Sequence, residues 1–477
     1  MKILFAASEV APFIKTGGLA DVAGSLPIAL AEMGNDVRVI LPLYAGIGDE
    51  WRSQMTFLKY YYVRLSWRSV YCGLFELKKD GVTYYFIDNE SYFRRSNLYS
   101  YYDDGERFAF FSRAIIETPA QIEWAPDIIH CNDWQTALVP IYLLEARNTY
   151  PVLSATKSVY TIHNIEYQGR YNHSVLGDLF GLDEGYFNER MLQYYDDVNL
   201  MKGAIYASDY VTTVSPNYAN ELQYAFYAHG LEGVVAENQD KMQGILNGID
   251  VKGNDPSTSD KIAARFSVDD LSGKAVCKAE LQRTLGLPER PDVPIIATIS
   301  RLAGHKGFEL ISQAFDKLMD LDVQFVLLGT GEWGYEEFFR NAQQRFPGKV
   351  SANLMYSAPL SNAIYSAADL YLMPSIAEPC GLSQMFAMRF GTVPVVRSTG
   401  GLKDSVPPFD PDTDNGLGFT FGSVDADDMM DAINRAVTLY NTDKGAWTRL
   451  MQRDMTADFS WAKSAGIYYD IYKSIIK

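Results

Sequence analysis

The residues that concentrate the most chemistry lie in Ser375-Ile376-Ala377-Glu378-Pro379-Cys380-Gly381-Leu382-Ser383-Gln384. A carboxylate, a proline and a glycine stand there between the apolar run Leu370–Met373 and a segment predicted as helix from Leu382, Phe386, Met388 and Phe390. A strand end that opens into a helix N-terminus is where open parallel sheets hold ligands. Backbone N–H groups at such a start suit a phosphate, and an acid beside them can meet a sugar hydroxyl or a developing cation. An ordinary βα loop with an exposed glutamate would read the same way. A second loop far upstream asks for the same ligand.

That loop is Lys15-Thr16-Gly17-Gly18-Leu19-Ala20-Asp21, after an apolar strand at residues 2–7. Leu19, Val22, Ala23, Leu26, Ala29, Leu30 and Met33 then recur at helical spacing, and Gly34-Asn35 closes the run. Pro27 inside the pattern predicts a kink or a lost hydrogen bond. Adjacent glycines let backbone approach a ligand without a Cβ clash. Lys15 adds a mobile cation beside the helix start. A glycine pair in a βα turn is often purely structural, so its weight comes from its company.

At 477 residues the chain is expected to form two domains with substantial cores. Its 47% hydrophobic and 21% charged residues are those of an ordinary globular protein. No apolar run reaches the length of a membrane span, and the N-terminus enters a strand rather than a signal peptide. A formal charge of −17 argues against nucleic acid or an anionic membrane as partner, so any anionic ligand needs a local basic cluster. Cys72, Cys131, Cys277 and Cys380 form no C-x-x-C pair, which fits a reducing cytoplasm. The five histidines lack metal-ligand spacing, and no structural metal is expected. The tyrosine-rich aromatic content suits a carbohydrate surface and a packed core equally well.

Short apolar runs alternate with helical patterns throughout, the signature of an α/β protein with parallel sheets. Strands are predicted at 36–41, 84–87, 127–130, 158–163 and 210–214. The fourth of these runs into His163-Asn164-Ile165-Glu166, and the third into Asn132-Asp133-Trp134. A polar stretch without periodicity at 252–260 marks an interdomain linker. The pattern then restarts with strands at 294–300, 323–328, 370–373 and 393–396. The first of these leads into Arg301-Leu302-Ala303-Gly304-His305-Lys306-Gly307, and a helix follows with Leu310, Ile311, Ala314, Phe315 and Leu318 on one face. The expected organisation is an N-terminal Rossmann-like domain at 1–250, a second at 251–455, and a C-terminal amphipathic helix at 456–477 bracing both. Two such halves would face each other across a cleft, where small-molecule sites commonly lie.

Six pieces in order carry a family resemblance: Lys15-Thr16-Gly17-Gly18-Leu19-Ala20-Asp21-Val22, His130-Cys131-Asn132-Asp133-Trp134-Gln135-Thr136, His163-Asn164-Ile165-Glu166-Tyr167-Gln168-Gly169, Leu246-Asn247-Gly248-Ile249-Asp250, Ser300-Arg301-Leu302 with Lys306-Gly307, and the Glu378 loop. The chain resembles the bacterial glycogen synthases, also called starch synthases, from end to end. The resemblance implies two facing Rossmann-like domains of the GT-B type with the active site in the cleft. It implies ADP-glucose as donor and glucosyl transfer to the non-reducing-end 4-OH of an α-1,4-glucan such as glycogen or a maltooligosaccharide. Retention of anomeric configuration, without metal or bound organic cofactor, is implied as well.

By the same resemblance, Arg301 and Lys306 hold the charge of the departing diphosphate, with Lys15 reaching across and Gly18 offering backbone contact. Glu378 bonds the glucose 3- and 4-hydroxyls or steadies the oxocarbenium-like centre, and His163 orients the 6-OH. Asp21, Asp133 and Asn247 are candidates for substrate contact. Cys380 is a small neighbour of the donor rather than a nucleophile, and Gly381, Leu382 and Ser383 offer amides to the phosphates. Tyr356 is a candidate for stacking on adenine, against the reading of a buried strand tyrosine.

The chain departs from the family pattern at several places. Ala377 stands where Phe or Tyr is usual, Asn362-Ala363 where His-Arg is frequent, and His305 where Gln is common. The segment 251–256 lacks the usual aromatic, and a second glutamate found in many related transferases would fall at Phe386. These differences bear on rate and acceptor preference, and they raise the alternative of a glucan- or nucleotide-binding paralogue with little catalysis. A dinucleotide-dependent oxidoreductase would need G-x-G-x-x-G in the first βα turn, which is missing. A phosphorylase would need a lysine motif for pyridoxal phosphate, which is missing too.

Overall fold

The computed structural model describes residues 1–476, which fall into two compact units. The first unit comprises Met1–Gly248 together with the helix Trp461–Ile476, and the second comprises Ile249–Ser460.

The first unit is built on β1 (Lys2–Ala6), β2 (Asp36–Pro42), β3 (Thr56–Leu65), β4 (Arg68–Lys79), β5 (Val82–Asp88), β6 (Ile128–Asn132) and β7 (Lys157–Ile162). A small separate sheet holds β8 (Arg170–Asn172), β9 (Gln193–Tyr194) and β10 (Asp197–Asn199), and β11 (Tyr210–Thr213) and β12 (Met242–Gly244) complete the main sheet. Its nine strands run β12-β11-β7-β6-β1-β2-β5-β4-β3. All neighbours are parallel from β12 to β5, and the hairpin β3–β4 continues the sheet antiparallel. Because β1 has β2 on one side and β6 on the other, the order in which strands are added reverses between parallel β1 and β6.

The helix Gly18–Glu32 follows β1 and runs through Pro27 without a break, so the expected defect is confined to the amide that proline lacks. Gly34 ends it in the left-handed region at φ 86°, with its amide on the Ala31 carbonyl at 2.8 Å. The helix Trp461–Ile476 packs on Gly18–Glu32, and the Tyr472 hydroxyl reaches buried His130 Nδ1 on β6 at 2.6 Å.

The second unit holds β13 (Ile295–Ile299), β14 (Gln324–Leu328), β15 (Val350–Asn353), β16 (Leu370–Met373), β17 (Val393–Arg397) and β18 (Phe419–Phe421) in the order β15-β14-β13-β16-β17-β18, all parallel. Counted within the unit, this is the doubly wound order 3-2-1-4-5-6, with its switch point between β13 and β16. The helix Phe308–Asp320 buries Leu310, Ile311, Ala314, Phe315 and Leu318, the face read from the sequence. Phe315 packs edge-on to Phe325 and Phe339 at 5.4 and 5.9 Å, and each such buried ring contributes about 2–3 kcal/mol by area. This apolar layer makes β13 and β16 a rigid base for the loops at their C-terminal ends.

Residues 252–260, expected as a linker, cluster with the second unit. The Asp255 carboxylate meets Arg389 Nη2 at 3.1 Å.

Candidate active site

In the second unit the loops after β13 and β16 meet at the switch point. Lys306 Nζ lies 2.7 Å from Glu378 Oε2, and the Ser375 hydroxyl donates to the same oxygen at 2.9 Å. The two side chains are 20% and 8% exposed, so the carboxylate is the better buried partner. Both contacts fall on Oε2, which leaves Oε1 to accept from a ligand. Arg301, also after β13, is exposed and has no ion-pair partner among the described residues. Its charge is therefore available.

Two supports hold the Glu378 loop that the sequence reading missed. Arg397, at the end of β17 and buried, donates Nε to the Ser375 carbonyl at 2.9 Å, Nη1 to that of Gly422 at 3.1 Å and Nη2 to that of Ile376. An arginine closing the apolar run 393–396 was the available signal. Behind the loop runs Thr399-Gly400-Gly401, whose Gly401 amide donates to the Glu378 carbonyl at 3.1 Å. Gly400 has φ 44°, and a Cβ there would lie 1.9 Å from the Glu378 carbonyl oxygen. Only glycine permits this approach. From the other side, the Ile376 amide donates to the His305 carbonyl at 2.8 Å, a backbone contact that the His305 departure leaves intact.

Downstream of Glu378 the helix spans Ser383–Arg389, and no side chain caps it. Its first amides lack intrahelical acceptors, so the Leu382 and Ser383 amides remain for a ligand. The buried face carries Gln384, Met385, Ala387 and Met388, whereas Leu382 and Phe386 are only partly buried. This corrects the apolar face expected from Leu382, Phe386, Met388 and Phe390. Buried Gln384 replaces a hydrophobe there because its amide bonds the Gly381 carbonyl at 2.9 Å and the Ser405 hydroxyl at 3.0 Å. Cys380 is buried beside them. Tyr356, between β15 and the helix Ala358–Ala367, is 86% exposed, which overturns the buried-strand alternative and leaves its ring open to stacking.

In the first unit two loops flank the β1/β6 switch point. Lys15 Nζ pairs with both Asp21 oxygens at 2.7 and 2.8 Å, and both side chains are partly exposed. An exposed pair of this kind is worth about 0.2–1 kcal/mol and exchanges readily for another anion. A Cβ at Gly18 would meet nothing within 4 Å, so protein packing does not require glycine there. Glu9, buried at 4% exposure, accepts from the Thr16 amide at 2.5 Å, the Thr16 hydroxyl at 2.7 Å and the Gly17 amide at 3.2 Å.

Asp133 follows β6 at φ 56°, and its Oδ1 accepts from the His163 amide at 2.7 Å. Burial pushes its carboxyl up to about 7, against the lowering effect of the His163 and Asn164 amides, and the Glu9 charge adds to the rise. His163 is held down at about 3 by burial and is neutral at physiological pH. The Asn132 amide must donate to the Ala6 carbonyl at 3.0 Å, so its Oδ1, 2.8 Å from His163 Nε2, can only accept. Nε2 therefore carries the proton, and Nδ1 is a lone-pair acceptor. Asn247 is buried after β12, and its Oδ1 has no partner among the described residues.

Two Rossmann-like units with cationic and acidic loops at strand C-terminal ends define a two-domain glycosyltransferase of the GT-B type. Residues 2–237 match the family described as starch synthase catalytic domain, and residues 284–445 match glycosyl transferases group 1. The chain is 46% identical to the glycogen synthase of Geobacillus thermodenitrificans (strain NG80-2), covering 100% of this chain and 98% of the relative. The glycogen synthase of Ligilactobacillus salivarius (strain UCC118) is also 46% identical, with 100% of both covered. The catalytic domain of starch synthase IV from Arabidopsis thaliana, solved bound to ADP and acarbose, superposes with a TM-score of 0.93 at 37% identity, covering 100% of this chain and 99% of that one. Sucrose-phosphate synthase from Thermosynechococcus elongatus shares the fold, with a TM-score of 0.61 at 18% identity and coverage of 99% and 98%. The chain belongs to the glycogen synthase family of glucosyltransferases. Among the described residues no helix is long and apolar enough to cross a membrane.

Proposed function

We propose that the chain elongates an α-1,4-glucan, transferring glucose from ADP-glucose to the 4-OH of the non-reducing end with retention of configuration. The observation that carries this reading is the Lys306–Glu378 pair at the β13/β16 switch point, with Arg301 exposed in the same loop as Lys306 and in no ion pair among the described residues. Breaking the anomeric C–O bond leaves the electron pair on the diphosphate. Arg301 and Lys306 stabilise that charge, Lys15 supplies a further cation, and the amides of Gly18, Gly381, Leu382 and Ser383 take phosphate oxygens. One such fixed contact is worth about 3–4 kcal/mol, roughly 10²–10³ in rate. ADP in the solved starch synthase IV supports adenine as the base, with exposed Tyr356 as its platform.

Glu378 Oε1 accepts from the sugar 3- and 4-hydroxyls, while Oε2 stays with Lys306 and Ser375. Neutral His163 accepts from the 6-OH through Nδ1, and its carbonyl faces the developing cation. Asn247, Asp133 and Asp21 complete the polar contacts to sugar and acceptor, and Cys380 packs beside the donor. The reading places the enzyme in the cytoplasm. The differences at Ala377, Asn362, Ala363 and His305 leave the Lys306–Glu378 geometry in place, which favours turnover over a binding-only paralogue.

The test is a competition between ADP-glucose and UDP-glucose with a short maltooligosaccharide, reading chain length and free nucleotide. Elongation with stoichiometric ADP release, and an α-configured new linkage by NMR, is expected. Nucleotide binding without elongation from either donor would overturn the reading in favour of the paralogue.

A further inference from the structure

We propose that Glu9 is a positioning residue for glucosyl transfer: its buried carboxylate holds the Lys15-Thr16-Gly17-Gly18 loop in the shape that presents the Gly18 amide and the Lys15 ammonium to the donor. The inference rests on the reading of that loop as part of the nucleotide-sugar site. Glu9 lies three residues beyond β1, and its three donors all converge on one oxygen, Oε2. The carboxylate thereby takes up the Thr16 and Gly17 amides just before the helix Gly18–Glu32. Among the first-turn amides left without an intrahelical acceptor is that of Gly18, beside open space. The loop is thus divided between an anchored inner side and a free outer side.

Stability alone does not explain an acid here. Glu9 has no cationic partner among the described residues, and burial raises its pKa against the help of the Thr16 and Gly17 hydrogen bonds. Asp21 adds further repulsion, and the Glu9 charge in turn raises Asp133. A buried, unpaired carboxylate among other acids costs free energy that an apolar residue would not. Such an arrangement is characteristic of functional sites, where a buried acceptor is kept for what it positions. The Asp133 carboxylate likewise accepts from the His163 and Asn164 amides, so the Lys15 and His163 loops are each held through backbone amides by one acid.

The test compares Glu9→Ala, Glu9→Gln and Glu9→Asp with the wild type in steady-state kinetics, using ADP-glucose and a maltooligosaccharide. Because all three contacts use one oxygen, glutamine can keep them with its carbonyl, whereas aspartate is one methylene too short. Glu9→Ala is expected to lower kcat/KM for the donor roughly 10²-fold, as a loop displaced by about 1 Å would, with the acceptor KM unchanged. Glu9→Gln should stay within about threefold of wild type, the scale of one weakened hydrogen bond, and Glu9→Asp should resemble alanine.

A folded Glu9→Ala with wild-type donor kinetics, or Glu9→Gln as damaged as alanine, would overturn the proposal. If the alanine variant does not accumulate, the comparison of glutamine with aspartate decides, and equal activity in those two overturns it. A wild type that fails to turn over the donor would instead sink the functional reading itself.

Discussion

Lys306 and Glu378 are 72 residues apart in the chain, and their side chains meet at 2.7 Å because β13 and β16 are neighbours in the sheet. The pair is unequal: the lysine side chain is 20% exposed and the glutamate 8%, so the lysine is the better hydrated of the two.

This inequality predicts an asymmetry in stability. Lys306→Met leaves a buried carboxylate with the Ser375 hydroxyl alone and should destabilise the second unit by about 2–3 kcal/mol. Glu378→Gln keeps both contacts in neutral form and should cost about 1 kcal/mol or less. Urea unfolding midpoints followed by tryptophan fluorescence measure both. Equal shifts would contradict the assignment of the carboxylate as the dependent partner.

Gly18→Ala should separate stability from function. Nothing obstructs the added methyl, and alanine is favoured over glycine in a helix by up to about 1 kcal/mol. The melting temperature should hold or rise while the donor KM rises, since the methyl occupies the space beside the ligand amide. An unchanged KM would remove Gly18 from the site.

Gly400→Ala tests the backing of the Glu378 loop. A Cβ 1.9 Å from the Glu378 carbonyl, on a residue at φ 44°, must push the loop away. The strain alone is about 1–3 kcal/mol, and a displacement of about 1 Å at the carboxylate predicts a fall in kcat on the order of 10²-fold. Full activity in this variant would mean that the Glu378 position is not critical.

The pH dependence of stability carries opposite contributions from Asp133 and His163. Asp133, raised to about 7, binds more protons folded than unfolded, so its contribution falls as pH rises from about 4 to 7. His163, lowered to about 3, binds fewer protons folded than unfolded, so its contribution rises as pH goes from about 3 to 6.5. The two slopes oppose each other between about pH 4 and 6.5. Asp133→Asn should therefore make stability climb more steeply with pH in that window, and His163→Gln should make it climb less. Thermal melts at half-unit pH steps check the signs, and identical profiles in both variants would refute the assignments.

Much of this was legible in the sequence wherever a strand was a continuous apolar run. The strands at 294–300, 370–373 and 393–396 and the helix face from Leu310 to Leu318 appear as read. The hairpin β3–β4 escaped because only Tyr61, Val63 and Leu65 of its outer strand are buried near the end, while Tyr60 and Tyr62 are aromatic yet exposed, which blurs the alternation. Glu378 and Lys306 were visible as motif residues, but not their ion pair, which depends on strand order. Glu9 and Arg397 went unassigned because what they hold is backbone, and backbone partners leave no residue-type signature. The tautomer of His163 likewise needed Asn132 and the Ala6 carbonyl, which only the sheet brings together.

The most direct test of the Lys306–Glu378 site is to measure Glu378→Gln for both ADP affinity and glucosyl transfer from ADP-glucose to maltoheptaose. ADP carries the diphosphate but no hexose, so the variant should bind it as tightly as wild type or tighter, while turnover falls by about 10²–10³. Wild-type turnover in this variant, or loss of ADP binding in step with activity, would contradict the placement of the carboxylate at the sugar and the lysine at the phosphates.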